Sequence, residues 1–148
     1  MKSLIRAITC IALAAVPGTV PANDAPNPAS TVNAFRHALE TGNQRAALEL
    51  LVPELLVFES GDLNRSRTDY AGHHLAADMA FLAKAKVRVL DQTASENGAL
   101  AWVATRSRIA SGSGELIGTE TMVLRREVDG WRIVHVHWSS RRAARQED

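Results

Sequence analysis

The sequence predicts an α+β domain in which helices come first and a curved antiparallel sheet follows. Three observations carry this. Apolar residues recur at helical spacing from Val32 to Leu82, and from Val87 onward the period changes to two. The two-period stretches are separated by turn signals at Asn97-Gly98, Ser111-Gly112-Ser113-Gly114 and Val128-Asp129-Gly130. Helices laid on one face of an antiparallel sheet satisfy that order.

Residues 1–22 contain Lys2 and Arg6, an uncharged run over residues 7–16, and then Val20-Pro21-Ala22. A basic start, an apolar segment too short to span a bilayer and small residues at −3 and −1 make a secretory signal peptide, with cleavage expected after Ala22. The expected location is therefore periplasmic or secreted. Residues 23–29, with Pro26, Asn27 and Pro28, read as a flexible leader. Ser30 or Thr31 then caps a first helix through Val32, Phe35 and Leu39, ended by Gly42. Asn43 caps a second through Ala46, Ala47, Leu50 and Leu51, stopped by Pro53. Leu55-Leu56-Val57-Phe58 suits a short strand, and residues 60–67 a loop. Ser66 with Asp69 has the form of a capping box for a third helix running to about Lys84. The meander opens at Val87 and continues through strands over residues 99–110, 116–127 and 131–140. The domain thus spans 30–141, and 142–148 forms a disordered tail of basic and acidic residues.

Composition narrows the function. Removal of the first 22 residues takes Lys2 and Arg6 from the 17 basic residues and leaves 15 against 16 acidic ones. Phosphate contact needs clustered positive charge, so no nucleic-acid partner is expected. The single cysteine, Cys10, lies in the segment to be removed, which excludes disulfides, thiolate metal sites and a Cys nucleophile in the mature chain. No phosphate-cradling glycine loop, G-x-S-x-G turn or H-E-x-x-H helix is present. No cofactor is called for, and no membrane contact after cleavage.

Turn geometry assigns the faces. A three-residue loop at 128–130 sets Glu127 opposite Trp131, and hence Leu124 opposite Val134, Met122 opposite Val136 and Glu120 opposite Trp138. A turn near Gly112 and Ser113 sets Trp102 opposite Leu124, Ala104 opposite Met122 and Arg106 opposite Glu120. The inner face then carries Leu100, Trp102, Ala104, Met122, Leu124, Val134, Val136 and Trp138 around an Arg106–Glu120 pair. The outer face carries Val103, Thr105, Thr121, Val123, Ile133, His135 and His137, apolar enough for a homodimer contact.

This order of elements, closing on Gly130-Trp131-Arg132-Ile133-Val134-His135-Val136-His137-Trp138-Ser139-Ser140, resembles the nuclear-transport-factor-2-like superfamily, in particular its SnoaL-like branch, over about residues 30–141. The closing segment with Glu120-Thr121 is also similar to the association domain of calcium/calmodulin-dependent kinase. The resemblance implies a cystatin-like cone, with a pocket between the curved sheet and three N-terminal helices, and dimerisation. In enzymes of the ketosteroid-isomerase and SnoaL type it implies a pocket carboxylate base and donors that hold an enolate. By position in the pocket, Glu120 resembles the base and Tyr70 a donor. The arginines with which the kinase domain binds acidic small molecules are replaced by Met122 and Trp138, and Arg106 partly takes their place.

Each remaining candidate has a plainer role beside the functional one. His74 and Asp78 share a helix face, so Asp78 can fix the tautomer of His74 and make it a pocket acid or base. With His73 they offer metal ligands, against a surface ion pair as the favoured reading. Glu120 and Arg106 hold a polar ligand group or close the wide end of the cone. Trp102 and Trp138 line a slot for a flat ligand or simply fill the core. Glu59 points into the pocket mouth or is solvated at a strand end. The expected function is an exported small-molecule pocket protein, a cofactor-independent isomerase or dehydratase working by proton transfer. The alternatives are a non-catalytic dimeric binding or accessory domain and a periplasmic metal binder using His73, His74 and Asp78.

Overall fold

The computed structural model describes residues 27–112 and 114–144. The expected cleavage after Ala22 and the start of the leader lie outside the described residues. Helix α1 (Pro28–Glu40) begins three or four residues earlier than expected. Asn27, not Ser30 or Thr31, is its cap and accepts from the Ser30 N–H at 2.8 Å. Pro28 occupies the first turn, where its missing N–H has no helical partner to lose. The end of the leader is thus helical, and Val32, Phe35 and Leu39 are buried. Gly42, at φ +68°, turns the chain into α2 (Gln44–Glu49), whose Asn43 cap accepts from the Ala46 N–H at 3.1 Å.

Pro53 does not stop α2, which ends at Glu49, but sits inside strand β1 (Leu51–Glu59). It lies where pairing with the neighbouring strand is interrupted between Leu51 and Leu56, a place that tolerates a residue without an N–H. The expected loop contains a short strand, β2 (Asp62–Asn64), reached through Ser60 and Gly61 at φ +53° and +95°. The third helix is two. In α3 (Arg67–His73) the Ser66 cap accepts from the Asp69 N–H at 3.0 Å, while the Asp69 carboxylate takes the Arg65 N–H at 2.8 Å. The axis breaks at His74 before α4 (Leu75–Leu82). Strands β3 (Lys86–Asn97), β4 (Leu100–Ser111), β5 (Gly114–Glu127) and β6 (Gly130–Arg142) follow, so Arg142 ends a strand instead of opening the tail.

The six strands form one sheet in the order β2-β1-β6-β5-β4-β3. The meander is antiparallel as expected, but β1 joins β6 in parallel, so the sheet is mixed. The helices pack on one face, over a core that includes Val32, Phe35, Leu55, Tyr70, Met122 and Ile133, none more than 1% exposed.

Two register expectations fail by one residue, with different consequences. Glu127 pairs with Gly130 instead of Trp131, and Leu124 with Ile133 instead of Val134. A bulge between Val123 and Leu124 absorbs the extra residue. Beyond it Met122 faces Val136 and Glu120 faces Trp138, as expected. No bulge corrects the β4–β5 pair, where Ser111 faces Gly114 and Trp102 faces Val123. A slip of one residue turns the whole strand over. Ala101, Val103, Thr105 and Ser107 are therefore inside, while Leu100, Trp102 and Arg106 are exposed on the other face. Ile133 also belongs to the core, so the outer face carries Leu56, Phe58, Trp102, Val123, His135 and His137.

Candidate functional site

A cavity of about 390 Å³ lies between α1, α4 and the inner face of the sheet. One transverse row of residues crosses it. Thr105 on β4 pairs with Glu120 on β5, Glu120 with Trp138 on β6, and Trp138 with Glu59 on β1. All four line the cavity, with Met122 behind them.

Glu120 is held from two sides. The Trp138 indole N–H donates to Oε2 at 2.7 Å, and the Arg36 guanidinium from α1 closes on Oε1. Only 12% of the Arg36 side chain and 13% of the Glu120 side chain are exposed. Trp138 is fixed in turn by Phe35, whose ring lies nearly parallel to it at 6.4 Å, and by Tyr70 at 6.5 Å. Arg106 takes no part: it faces Thr119 across the strand pair and points outward, as does Trp102.

A second polar group sits at the α4 side. Buried Tyr70 donates its hydroxyl to Asp78 Oδ2 at 2.7 Å. Burial and the Asp78 charge raise the Tyr70 pKa, so the phenol stays a donor. Its hydroxyl is thereby engaged, and Tyr70 stands behind Asp78, away from the cavity lining. Burial raises the Asp78 pKa above its ordinary value, against the pull of the Tyr70 hydrogen bond and of His74. Glu59 is raised likewise, by burial first and then by the Asp78 charge, with His74 opposing and Asp62 adding. Among the described residues, Glu59 Oε2 is buried without any hydrogen-bond partner.

The expected His74–Asp78 contact does not form. Tyr70 claims the carboxyl, and the His74 ring turns to β2, where Nδ1 meets Asn64 Oδ1 at 2.7 Å and Nε2 lies 3.8 Å from Asp62. His73 goes to Asp69 at 2.9 Å. The metal set His73, His74 and Asp78 is thus dispersed over separate partners. Among the described residues no group of three His, Asp or Glu side chains is placed to hold an ion.

The fold therefore brings Glu59, Asp78, Glu120, Met122 and Trp138 to one cavity, with Tyr70 behind it, and sends Trp102 and Arg106 to the opposite face. Sequence reasoning missed Arg36, Thr105 and Ser107. Arg36 was legible: it stands four residues after Val32 and three before Leu39, on the buried stripe of α1. Thr105 and Ser107 continue the two-residue alternation from Ala101 and Val103, and only the register decides that this set is inside.

The SnoaL-like domain family model matches residues 29–143. No curated protein matches the chain. Among solved structures, a "putative ketosteroid isomerase" from Shewanella frigidimarina NCIMB 400 is 32% identical, with a TM-score of 0.73 over 77% of this chain and 96% of that one. A "putative dehydratase" of the NTF2-like family from Streptomyces avermitilis is 24% identical, with a TM-score of 0.62 over 76% and 92%. The CaMKII hub of S. rosetta is 21% identical, with a TM-score of 0.66 over 82% and 100%. The last two likenesses speak to the fold alone. By the match over residues 29–143 and the identity to the Shewanella protein, this chain belongs to the SnoaL-like domain family and has the cystatin-like, NTF2-like fold.

Proposed function

We propose that this protein binds a small, largely apolar molecule and moves a proton on it without a cofactor, as an isomerase or dehydratase, with Glu59 as the base. The observation that carries this reading is Glu59 Oε2, buried at the cavity wall with no partner among the described residues. A base needs a free lone pair, and the raised Glu59 pKa makes it a stronger one near neutral pH. In an isomerisation Glu59 takes a proton from a carbon next to a carbonyl, the C–H electron pair moves into the enolate, and Glu59, its proton exchanged with solvent, protonates the enolate again at the same or another carbon. In a dehydration that electron pair instead expels a β-hydroxyl, which leaves as water with the proton that Glu59 has taken. The Shewanella relative, named for ketosteroid isomerisation, supports the reaction class. Glu120 is assigned a different role from the one expected: with both oxygens engaged, it anchors Arg36 and Trp138.

In the same reading the mature protein, cleaved after Ala22, works outside the cytoplasm as a homodimer. The exposed Phe58 and Trp102 on the outer face support the dimer, since contiguous apolar surface marks contact sites. The second reading is a binding or accessory dimer without chemistry, favoured by the full engagement of Glu120. Deuterium wash-in separates the two. With a β,γ-unsaturated ketosteroid in D₂O, exchange at the α-carbon well above the buffer rate is expected by NMR. Saturable binding with no exchange would overturn the catalytic reading and leave the binding one.

A further inference from the structure

We infer that Thr105 and Ser107 form a hydrogen-bond-donating subsite for the carbonyl oxygen of an uncharged ligand, an inference that rests on the cavity binding a small molecule. Both side chains line the cavity from β4, and they are only 4% and 7% exposed. Among the described residues, no side-chain or backbone group meets the Ser107 hydroxyl. The Ser107 hydroxyl opens into the cavity and is free to donate to a ligand atom there. Gly118, which pairs with Ser107 across the strands, carries no side chain, and Ile109 packs over it.

Thr105 is polarised in one direction. Its oxygen accepts from Gln92 Nε2 at 3.2 Å, and the same amide is pinned by Asn33, which accepts from Gln92 Nε2 at 3.0 Å and donates to Gln92 Oε1 at 3.5 Å. With the Gln92 amide so oriented, the Thr105 O–H is left to donate, and no acceptor meets it among the described residues. A hydroxyl that already accepts a hydrogen bond donates more strongly. The two neighbouring donors call for an acceptor oxygen.

The charge balance selects an uncharged one. Arg36, the cation of the cavity wall, is neutralised by Glu120, and the other ionisable groups lining the cavity are Glu59 and Asp78. An anion would meet two carboxyls and no free cation among the described lining residues. Thr105 and Glu59 stand at opposite ends of the row, three strand spacings or about 14 Å apart at the backbone. A flat ligand over Trp138 thus places one oxygen at Thr105 and Ser107, at the end remote from the carbonyl that reacts at Glu59.

Three probes test this by titration calorimetry: 2-acetylnaphthalene, its oxygen-free analogue 2-ethylnaphthalene, and 2-naphthoate. Each hydrogen bond is worth roughly 2–10-fold in affinity. The ketone is therefore expected to bind about 5–50-fold tighter than the hydrocarbon, and the carboxylate weakest of the two oxygenated probes. Ser107→Ala and Thr105→Val should each cut the ketone preference several-fold while hydrocarbon binding persists, and Thr105→Ser should keep it. Equal binding of ketone and hydrocarbon, or a preference unchanged in both hydroxyl-deleted variants, would overturn the subsite. Naphthoate binding tighter than the ketone would overturn the uncharged class. Binding of none of the three would overturn the pocket reading, and the subsite with it.

Discussion

Trp138 donates its indole N–H to Glu120 from the position directly across the β5–β6 pair, at 2.7 Å, while Arg36 approaches the same carboxylate from the helix layer. The Glu120 charge thus joins helix α1 to the sheet in a largely buried setting. Removing one partner of such a pair leaves the other charge uncompensated, so Arg36→Ala should cost about 3 kcal/mol of stability. A double-mutant cycle by chemical denaturation should show strong coupling of Arg36 with Glu120. The corresponding cycle of Arg106 with Glu120 should be additive, since the two side chains lie on opposite faces.

The acidity of Glu59 gives a pH signature. Its folded-state pKa lies above the ordinary value of 4.5. Such a group contributes stability that is fully present below the unfolded pKa and is lost as the pH rises through the folded one. Above that folded pKa the native state carries the whole penalty of an ionised, half-buried carboxylate. Glu59→Gln should therefore raise the melting temperature at pH 7, on the order of 1–4 °C for a domain of this size, and change it little below about pH 4. A variant less stable at pH 7 by thermal melts would mean that the carboxylate has a favourable partner.

The outer face yields a test of assembly. Phe58 is 40% and Trp102 42% exposed, and Phe58 lies 5.6 Å from His135 and 6.5 Å from His137. In a two-fold contact Trp102→Glu would place like charges in both copies, so sedimentation equilibrium should show at least a tenfold weaker dimer. An unmodified protein that stays monomeric at micromolar concentration would leave this face without its proposed partner.

Export is checked most simply by mass. Material recovered from the periplasm or medium should begin at Asn23 and contain no cysteine. A chain retaining Met1, or a lipid on Cys10, would contradict it.

Much of this architecture is legible in the sequence because it is written locally. The Asn43 and Ser66 caps, the Asn97-Gly98 turn and the change of period near Val87 depend on neighbours in the chain. The parallel partnership of β1 with β6 is not local, and nothing in Leu55-Leu56-Val57-Phe58 names it. Register is not local either. Glu120 and Trp138 were matched correctly because the bulge at β6 cancelled an error of one residue in the turn. The same error at Ser111 and Gly114 went uncancelled and exchanged Trp102 and Arg106 for Thr105 and Ser107. The candidate site was accordingly readable on β1, β5 and β6 and misread on β4. The break at His74 follows Gly72 and His73, poor helix formers whose signal is masked by the apolar spacing from Tyr70 to Leu82.

The central claim is that Glu59, and not Glu120, takes the proton, and single-turnover exchange with a saturating β,γ-unsaturated ketosteroid in D₂O tests it most directly. Loss of a positioned base typically costs ~10²–10⁴-fold in rate. Glu59→Gln should lose that factor with ligand affinity nearly kept. Glu120→Gln should keep most of the exchange rate and show its effect in stability. An exchange rate that survives in Glu59→Gln but collapses in Glu120→Gln would contradict the assignment and return the base to the middle of the row.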